Sequence, residues 1–152
     1  MDRRKFLGMG LAAFAVMVAS KTDLRAMDFR ATKPKAWEAA DSISAIKELY
    51  GNGGLKETKD IKLKAPKLAE NGGSIPINIK SKLDLESVAI FQDANPRSTV
   101  AVFTVPANGI INYDLRMKMK KSSKITIVAK GRDGVLYTTS KKVEVSIGGC
   151  GG

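Results

Sequence analysis

Polar and apolar positions follow two regimes along this chain, with the change near position 55. Ahead of it, Trp37, Ala40, Ile43, Ile46, Leu49 and Tyr50 recur at helical spacing, which predicts one amphipathic helix over 37–50. Pro34 precedes that segment and Gly51-Asn52-Gly53-Gly54 follows it, a start and a stop signal for a helix. Trp37 and Tyr50 are read as core packing. Beyond it the period becomes two. Ile61-Lys62-Leu63-Lys64 alternates, Ile75, Ile77 and Ile79 share a face, and Tyr113, Leu115, Met117 and Met119 alternate with Asp114, Arg116 and Lys118. Each is the pattern of a strand with one wet face. Segments 88–91 and 100–105 are more continuously apolar, as strands covered on both sides would be. Further strands are predicted at 125–129, 136–139 and 143–147, with Asp133-Gly134 as a hairpin turn between the first two. Asn71-Gly72-Gly73, Asn95-Pro96 and Asn108-Gly109 punctuate the rest. About seven or eight short strands so spaced predict a mainly β fold, an immunoglobulin-like antiparallel β-sandwich with one N-terminal helix. A barrel is the alternative.

The chain opens Met1-Asp2-Arg3-Arg4-Lys5-Phe6-Leu7-Gly8, and an apolar stretch runs on to about Val18. That stretch is shorter than the roughly 20 residues a spanning helix needs, and a basic start before a short apolar segment is the form of an export signal. Arg3-Arg4 resembles the twin-arginine address. Cleavage is expected near Ala19-Ser20 or after Leu24-Arg25-Ala26, and no cysteine at either point offers a lipid anchor. The expected plan is a signal over 1–26, a helix-plus-sandwich domain over 27–147 and a flexible carrier arm over 148–152, with the mature protein in the periplasm. The domain is long enough to bury a core of its own.

The composition is basic, with 26 Lys+Arg against 15 Asp+Glu. Five of the basic and two of the acidic residues lie in 1–26, leaving 21 against 13, or +8, for the rest. Such a balance favours anionic partners, but export argues against nucleic acid. Lys80, Lys82, Lys118, Lys120 and Lys121 are interleaved with apolar positions on predicted strands. They read as a solvated face that serves solubility, with small inorganic anions or an acidic partner protein as the other reading.

The chain has no histidine and one cysteine. That removes histidine acid–base chemistry, Ser-His and Cys-His nucleophiles, and zinc or iron–sulfur cages. The expected catalytic residues, metal ligands and cofactors are therefore none. Glu70 with Asp84, or Asp93 with Asp114, offers no spacing that favours a carboxylate pair over ordinary surface positions. What remains is the end, Gly148-Gly149-Cys150-Gly151-Gly152. Glycine is the costliest residue to order, so Gly148, Gly149, Gly151 and Gly152 describe a flexible tether, and Cys150 a thiol with reach. Five residues extend at most about 17 Å, at ~3.3–3.6 Å each. With glycine neighbours the thiol keeps a pKa near ~8.5 and is only a few per cent thiolate at neutral pH. Activation is left to whichever partner receives it. An odd cysteine in an exported chain pairs between molecules or stays reactive, so a disulfide tether to a second chain is the competing reading.

These residues resemble the SoxY family, the sulfur-carrier subunits of the bacterial thiosulfate-oxidising (Sox) system. The resemblance rests on the terminal Gly148-Gly149-Cys150-Gly151-Gly152, on Pro66-Lys67-Leu68-Ala69-Glu70-Asn71-Gly72-Gly73-Ser74-Ile75-Pro76-Ile77, on Asn95-Pro96 with Val100-Ala101-Val102-Phe103 after it, and on the twin-arginine start. It covers about 37–152. Ser98 stands where the family pattern leads one to expect proline. The resemblance implies a heterodimer with a SoxZ-like small sandwich subunit. It implies a c-type cytochrome complex that couples thiosulfate to Cys150, and a hydrolase that releases sulfate. A sulfur dehydrogenase is a further partner it allows. No nucleic acid or membrane partner is implied, and the chain itself catalyses no step. Two other functions compete. Small ubiquitin-like carriers also end in Gly-Gly but use a C-terminal thiocarboxylate, which needs no cysteine. An exported β-sandwich binding or assembly module would use Cys150 for an intermolecular disulfide.

Overall fold

The structure, a computed structural model, describes residues 26–146. The export signal, apart from Ala26, and the arm with Cys150, Gly148, Gly149, Gly151 and Gly152 lie outside the described residues.

Three short helices open it: α1 (Phe29–Thr32), α2 (Pro34–Glu38) and α3 (Ser42–Tyr50). The single helix expected over 37–50 is thus divided. Ala39 turns to extended backbone at φ −62° and ψ 132°, and Asp41 is extended as well. The Asp41 carboxylate accepts the Ser44 N–H at 2.8 Å, a side-chain cap that starts a new helix at Ser42. Ile46 and Leu49 of the expected stripe are buried and Trp37 and Tyr50 half-buried, but the break takes Ala40 and Ile43 out of it. Ala36, Ala45, Ile46 and Leu49 are buried, whereas Ile43 is 81% exposed. Gly51, at φ 83°, ends α3 with a positive φ that glycine takes without steric cost.

Nine strands follow: β1 (Leu55–Glu57), β2 (Ile61–Lys64), β3 (Leu68–Ala69), β4 (Ile75–Ser81), β5 (Leu85–Gln92), β6 (Thr99–Thr104), β7 (Ile111–Met117), β8 (Ser123–Gly131) and β9 (Leu136–Val145). The larger sheet has the order β1-β9-β8-β5-β6 with β3 also on β9, and the smaller is β2-β4-β7. All the main pairings are antiparallel, but β1 and β3 both run parallel to β9.

The strands expected separately at 136–139 and 143–147 are one ten-residue strand, β9, as far as Val145; Ile147 lies outside the described residues. Ser140-Lys141-Lys142 resembles a gap because it is polar. Lys141 nevertheless stays on the half-buried face by donating its ammonium to the Ala65 carbonyl at 2.6 Å, so the alternation continues. Segment 100–105 does not have the cover on both sides that its apolar run predicts. Instead β6 is the outer strand of its sheet, only half-buried over Val100–Phe103, with Phe103 against Tyr113 at a centroid distance of 4.8 Å.

The core explains why β5 reads as a continuous apolar run. Val88 and Ile90 face the smaller sheet, packing with Ile75, Ile77, Ile79, Ile125 and Ile127. Ala89 and Phe91 face the other way, onto Ala36, Ala45, Ile46 and Leu49 of the helices. The result is three layers, helices on a sheet on a sheet, with β5 buried on both faces as expected of such a run.

Candidate functional site

The arm leaves the end of the sandwich at which β9 finishes. Three connections meet there: 65–74 before β4, 93–98 between β5 and β6, and 118–122 between β7 and β8. Each is tied to the root of the arm or to a neighbour of it. The Ser146 N–H donates to the Ala69 carbonyl at 3.1 Å and the Glu144 N–H to that of Lys67 at 2.9 Å. The Ser146 hydroxyl donates to the Glu70 carbonyl at 3.1 Å. On the other side the Val145 N–H donates to the Ser122 hydroxyl oxygen at 2.9 Å. The end of β9 is therefore held from two directions, and Ser146 lies four residues ahead of Cys150.

Two of the segments that carried the family resemblance build this end. Gly72 accepts the Met119 N–H at 2.8 Å, and its Cα sits so close that a Cβ there would lie 2.5 Å from the Met119 carbonyl oxygen and 2.7 Å from Val145 Cγ1. Asn71 shapes the approach by accepting the Gly73 N–H at 2.8 Å. Asn95 grips the same connection with both ends of its amide, donating to the Lys118 carbonyl at 2.7 Å and accepting the Lys120 N–H at 3.0 Å. Gln92, 1% exposed, holds the 93–98 loop from within. It donates to the Arg97 carbonyl and accepts the Ala94 and Asn95 N–H groups. Ser98, at the position where the family pattern leads to proline, donates its N–H to the Ala39 carbonyl at 3.0 Å, a bond proline cannot make. Sequence reading did not single out Gln92 or Ser122; a glutamine just ahead of Asn95-Pro96, at the end of an apolar run, was the available signal.

Lys118, Lys120 and Lys121, placed on strands by periodicity, lie on the 118–122 connection and are exposed, as is Lys67. The four carboxylates considered as pairs are not brought together. Asp84 pairs with Arg132 at 3.0 Å. Asp93 accepts the Ser42 N–H and hydroxyl at 2.7 and 2.9 Å. Asp114 accepts from Asn78 at 2.8 Å, and the Glu70 carbonyl serves Ser146. Tyr50, whose hydroxyl meets Ser87 at 2.9 Å, is pushed up to about 12 chiefly by burial. It stays a neutral hydrogen-bonding group at neutral pH. Among the described residues no three Asp, Glu, His or Cys side chains stand close enough to hold a metal ion, and no helix is long and apolar enough to cross a membrane.

A family model described as "Sulfur oxidation protein SoxY" matches residues 46–150. The chain belongs to the SoxY family. The sulfur carrier protein SoxY from Chlorobium limicola f thiosulfatophilum is 31% identical, with a TM-score of 0.65, over 73% of this chain and 96% of that one. The family match runs from α3 to Cys150 and so takes in both loops that hold the arm root. A superoxide reductase (neelaredoxin) from Ignicoccus hospitalis shares the fold alone. Its TM-score is 0.52 at 12% identity, covering 59% of this chain and 82% of that one. No curated protein matches the chain by sequence. SoxY membership gives the general role, a sulfur carrier of the Sox system, and the mainly β sandwich expected from the sequence is the fold observed.

Proposed function

We propose that this chain is a periplasmic covalent carrier for thiosulfate oxidation, with Cys150 as the point of attachment and no catalytic step of its own. The observation that supports it most is the conjunction of SoxY membership with a lone cysteine, flanked by glycines, a few residues beyond a firmly held strand end. In the loading step a c-type cytochrome complex removes two electrons as the Cys150 thiol and thiosulfate join. A bond forms between Cys150 Sγ and the outer sulfur of thiosulfate, the thiol proton is released, and a cysteine S-thiosulfonate results. A hydrolase then adds water across the S–SO₃ bond, the hydroxyl to the sulfonate sulfur and the hydrogen to the outer sulfur, releasing sulfate and one proton and leaving a persulfide (S–SH) on Cys150. A sulfur dehydrogenase oxidises that sulfur further where one is present. Gly148, Gly149, Gly151 and Gly152 give reach and pass a narrow channel without side chains to clash. The second small sandwich, a SoxZ-like subunit, completes the carrier as a heterodimer. The twin-arginine start supports delivery to the periplasm, an oxidising compartment. This lone thiol has no disulfide partner within its own chain.

Intact mass after incubation with thiosulfate and the loading system tests the reading. A gain of about 112 Da that vanishes in Cys150→Ser is the expected result, from the added S-SO₃ group at the reactive thiol. Loading retained in Cys150→Ser would overturn it in favour of a C-terminal thiocarboxylate, and a mass equal to a disulfide-linked pair would favour the assembly module.

A further inference from the structure

The connections around the arm root carry an excess of unpaired positive charge. Lys67, Lys118, Lys120 and Lys121 are exposed, and none takes part in an ion pair among the described residues, where the pairs are Lys130–Glu86, Arg132–Asp84 and Lys142–Glu144. Segment 66–74 holds one carboxylate, Glu70, segment 93–98 holds Asp93 balanced by Arg97, and segment 115–122 holds none. Several like charges left together repel one another unless a counter-charge visits them.

We propose that these four lysines are a docking surface for the chain's own segment 147–152 when Cys150 carries an anionic group. The loaded arm lies against the body and the unloaded arm does not. This rests on Cys150 being the attachment point. Three observations lead there. Lys121 is adjacent to Ser122, whose hydroxyl lies 2.9 Å from the Val145 N–H, and the Lys67 carbonyl accepts the Glu144 N–H, so the lysines ring the arm's point of departure. Cys150 is four residues past Ser146, a reach of about 14 Å at most, which covers this ring. The cargo strengthens the match, because it adds to the Gly152 carboxylate a second, permanent negative charge at Cys150, where the free thiol is mostly neutral near pH 7.

The opposite end of the sandwich supplies a matched control. A groove of about 710 Å³ there is lined by Lys59, Lys62, Lys80 and Lys82 with Leu83 and Ile110. It is equally basic but out of reach. β4 runs seven residues from Ile75, level with Met117 at the arm end, to Ser81, level with Ile111, which is about 20 Å at ~3.4 Å per residue.

The test uses the full mature chain, loaded chemically with tetrathionate so that docking is read whether or not the enzymatic loading works. The Cys150 thiol displaces thiosulfate from tetrathionate. A bond from Sγ to sulfur forms, the central S–S bond of tetrathionate breaks, thiosulfate leaves with that electron pair and the proton goes to solvent. A second sample is capped with iodoacetamide, which leaves a neutral group. Backbone NMR follows the amides of Lys118, Lys120 and Lys121 and the heteronuclear NOE of Gly149 and Gly151. The loaded chain is expected to shift those lysine amides and raise the glycine NOEs. Both effects should disappear at about 1 M salt, where the Debye length is about 3 Å. The variant K118Q/K120Q/K121Q should lose the effect, by about twofold in docked-to-free ratio for each lysine, while K59Q/K62Q/K80Q, with the same net charge, keeps it. Equal glycine NOEs in the loaded and capped chains overturn the proposal, as does equal loss in the two triple variants. The salt titration of the unsubstituted chain decides even if a variant fails to fold. Failure of the carrier reading shows separately, as absence of enzymatic loading.

Discussion

Gly72→Ala tests how tightly the arm root is built. Gly72 is buried, and a methyl group there would meet the Met119 carbonyl oxygen at 2.5 Å and Val145 Cγ1 at 2.7 Å. Carbon to oxygen contact needs several tenths of an ångström more than that, so either the 118–122 connection or the end of β9 must move. Moving the first strains the Met119 N–H bond to the Gly72 carbonyl, 2.8 Å long. Moving the second strains the Val145 bond to Ser122 and the Ser146 bond to Ala69. Overpacking of this kind costs about 1–3 kcal/mol, and some of the strain is relieved because this end of the sandwich is partly exposed. The expected cost is about 2 kcal/mol, or a fall of about 8 °C in Tm at roughly 4 °C per kcal/mol for a domain of this size. Calorimetry on the mature chain measures it. Val145→Ala removes the Cγ1 contact but leaves the carbonyl, so G72A/V145A should recover part of the loss and no more, a coupling that the double-mutant cycle reads. A Tm within about 1 °C of the parent for Gly72→Ala, or full recovery in the double variant, would refute the claim that backbone contact with Met119 fixes this end.

Two further outcomes follow from buried polar groups. Gln92→Met keeps the volume but strands the Ala94 and Asn95 N–H groups and the Arg97 carbonyl, now bonded at 2.6, 2.9 and 2.8 Å. We expect a loss of about 2–4 kcal/mol with hydrogen exchange at Ala94 and Asn95 greatly accelerated; unchanged protection there would contradict the assigned role. All three tyrosines are raised above their ordinary value, Tyr50 to about 12 and Tyr113 both by burial, and Tyr137 first by its hydrogen bond to Asp133. The folded state holds these protons more tightly than the unfolded one. Their contribution to stability is therefore whole below about pH 10, the unfolded tyrosine value, and fades as pH climbs through each raised native value, about 12 for Tyr50. Ultraviolet titration of the native protein should show one late tyrosine that is missing in Tyr50→Phe, and a native midpoint near 10 for that group would refute the assignment.

The sandwich was legible because its two-sided and one-sided strands obey different patterns. Ile75, Ile77 and Ile79 alternate over one wet face, while Val88 through Phe91 serve two cores at once. What escaped the pattern has specific causes. The helix break at Ala39 is set by the Asp41 cap and by the bond from Ser98 to Ala39, one of them a contact across 59 positions of sequence. The continuity of β9 through Lys141 depends on the Ala65 carbonyl, 76 positions away. Strands β1 and β3, three and two residues long, are too short to show a period. The lysines of 118–122 kept strand-like alternation because Met117 and Met119 are both buried, although β7 ends at Met117. The terminal cysteine was conspicuous from composition alone. The apparatus that holds its root depends on contacts from Ala69, Gly72, Asn95 and Ser122, none of which announces itself by periodicity.

The two parallel additions to β9 have a mechanical meaning. Along one edge β9 is laddered to β8 from Leu136 to Val143. Along the other, β1 covers Leu136–Thr138 and β3 covers Glu144–Val145. A pull on the tail directed along this strand loads hydrogen bonds on both edges together, in shear, rather than opening them one after another as a free terminal strand would peel. The last described residues are thus spliced to the body by a strand that shares tension between neighbours, and force applied at Ser146 is spread through the larger sheet before any single bond has to give.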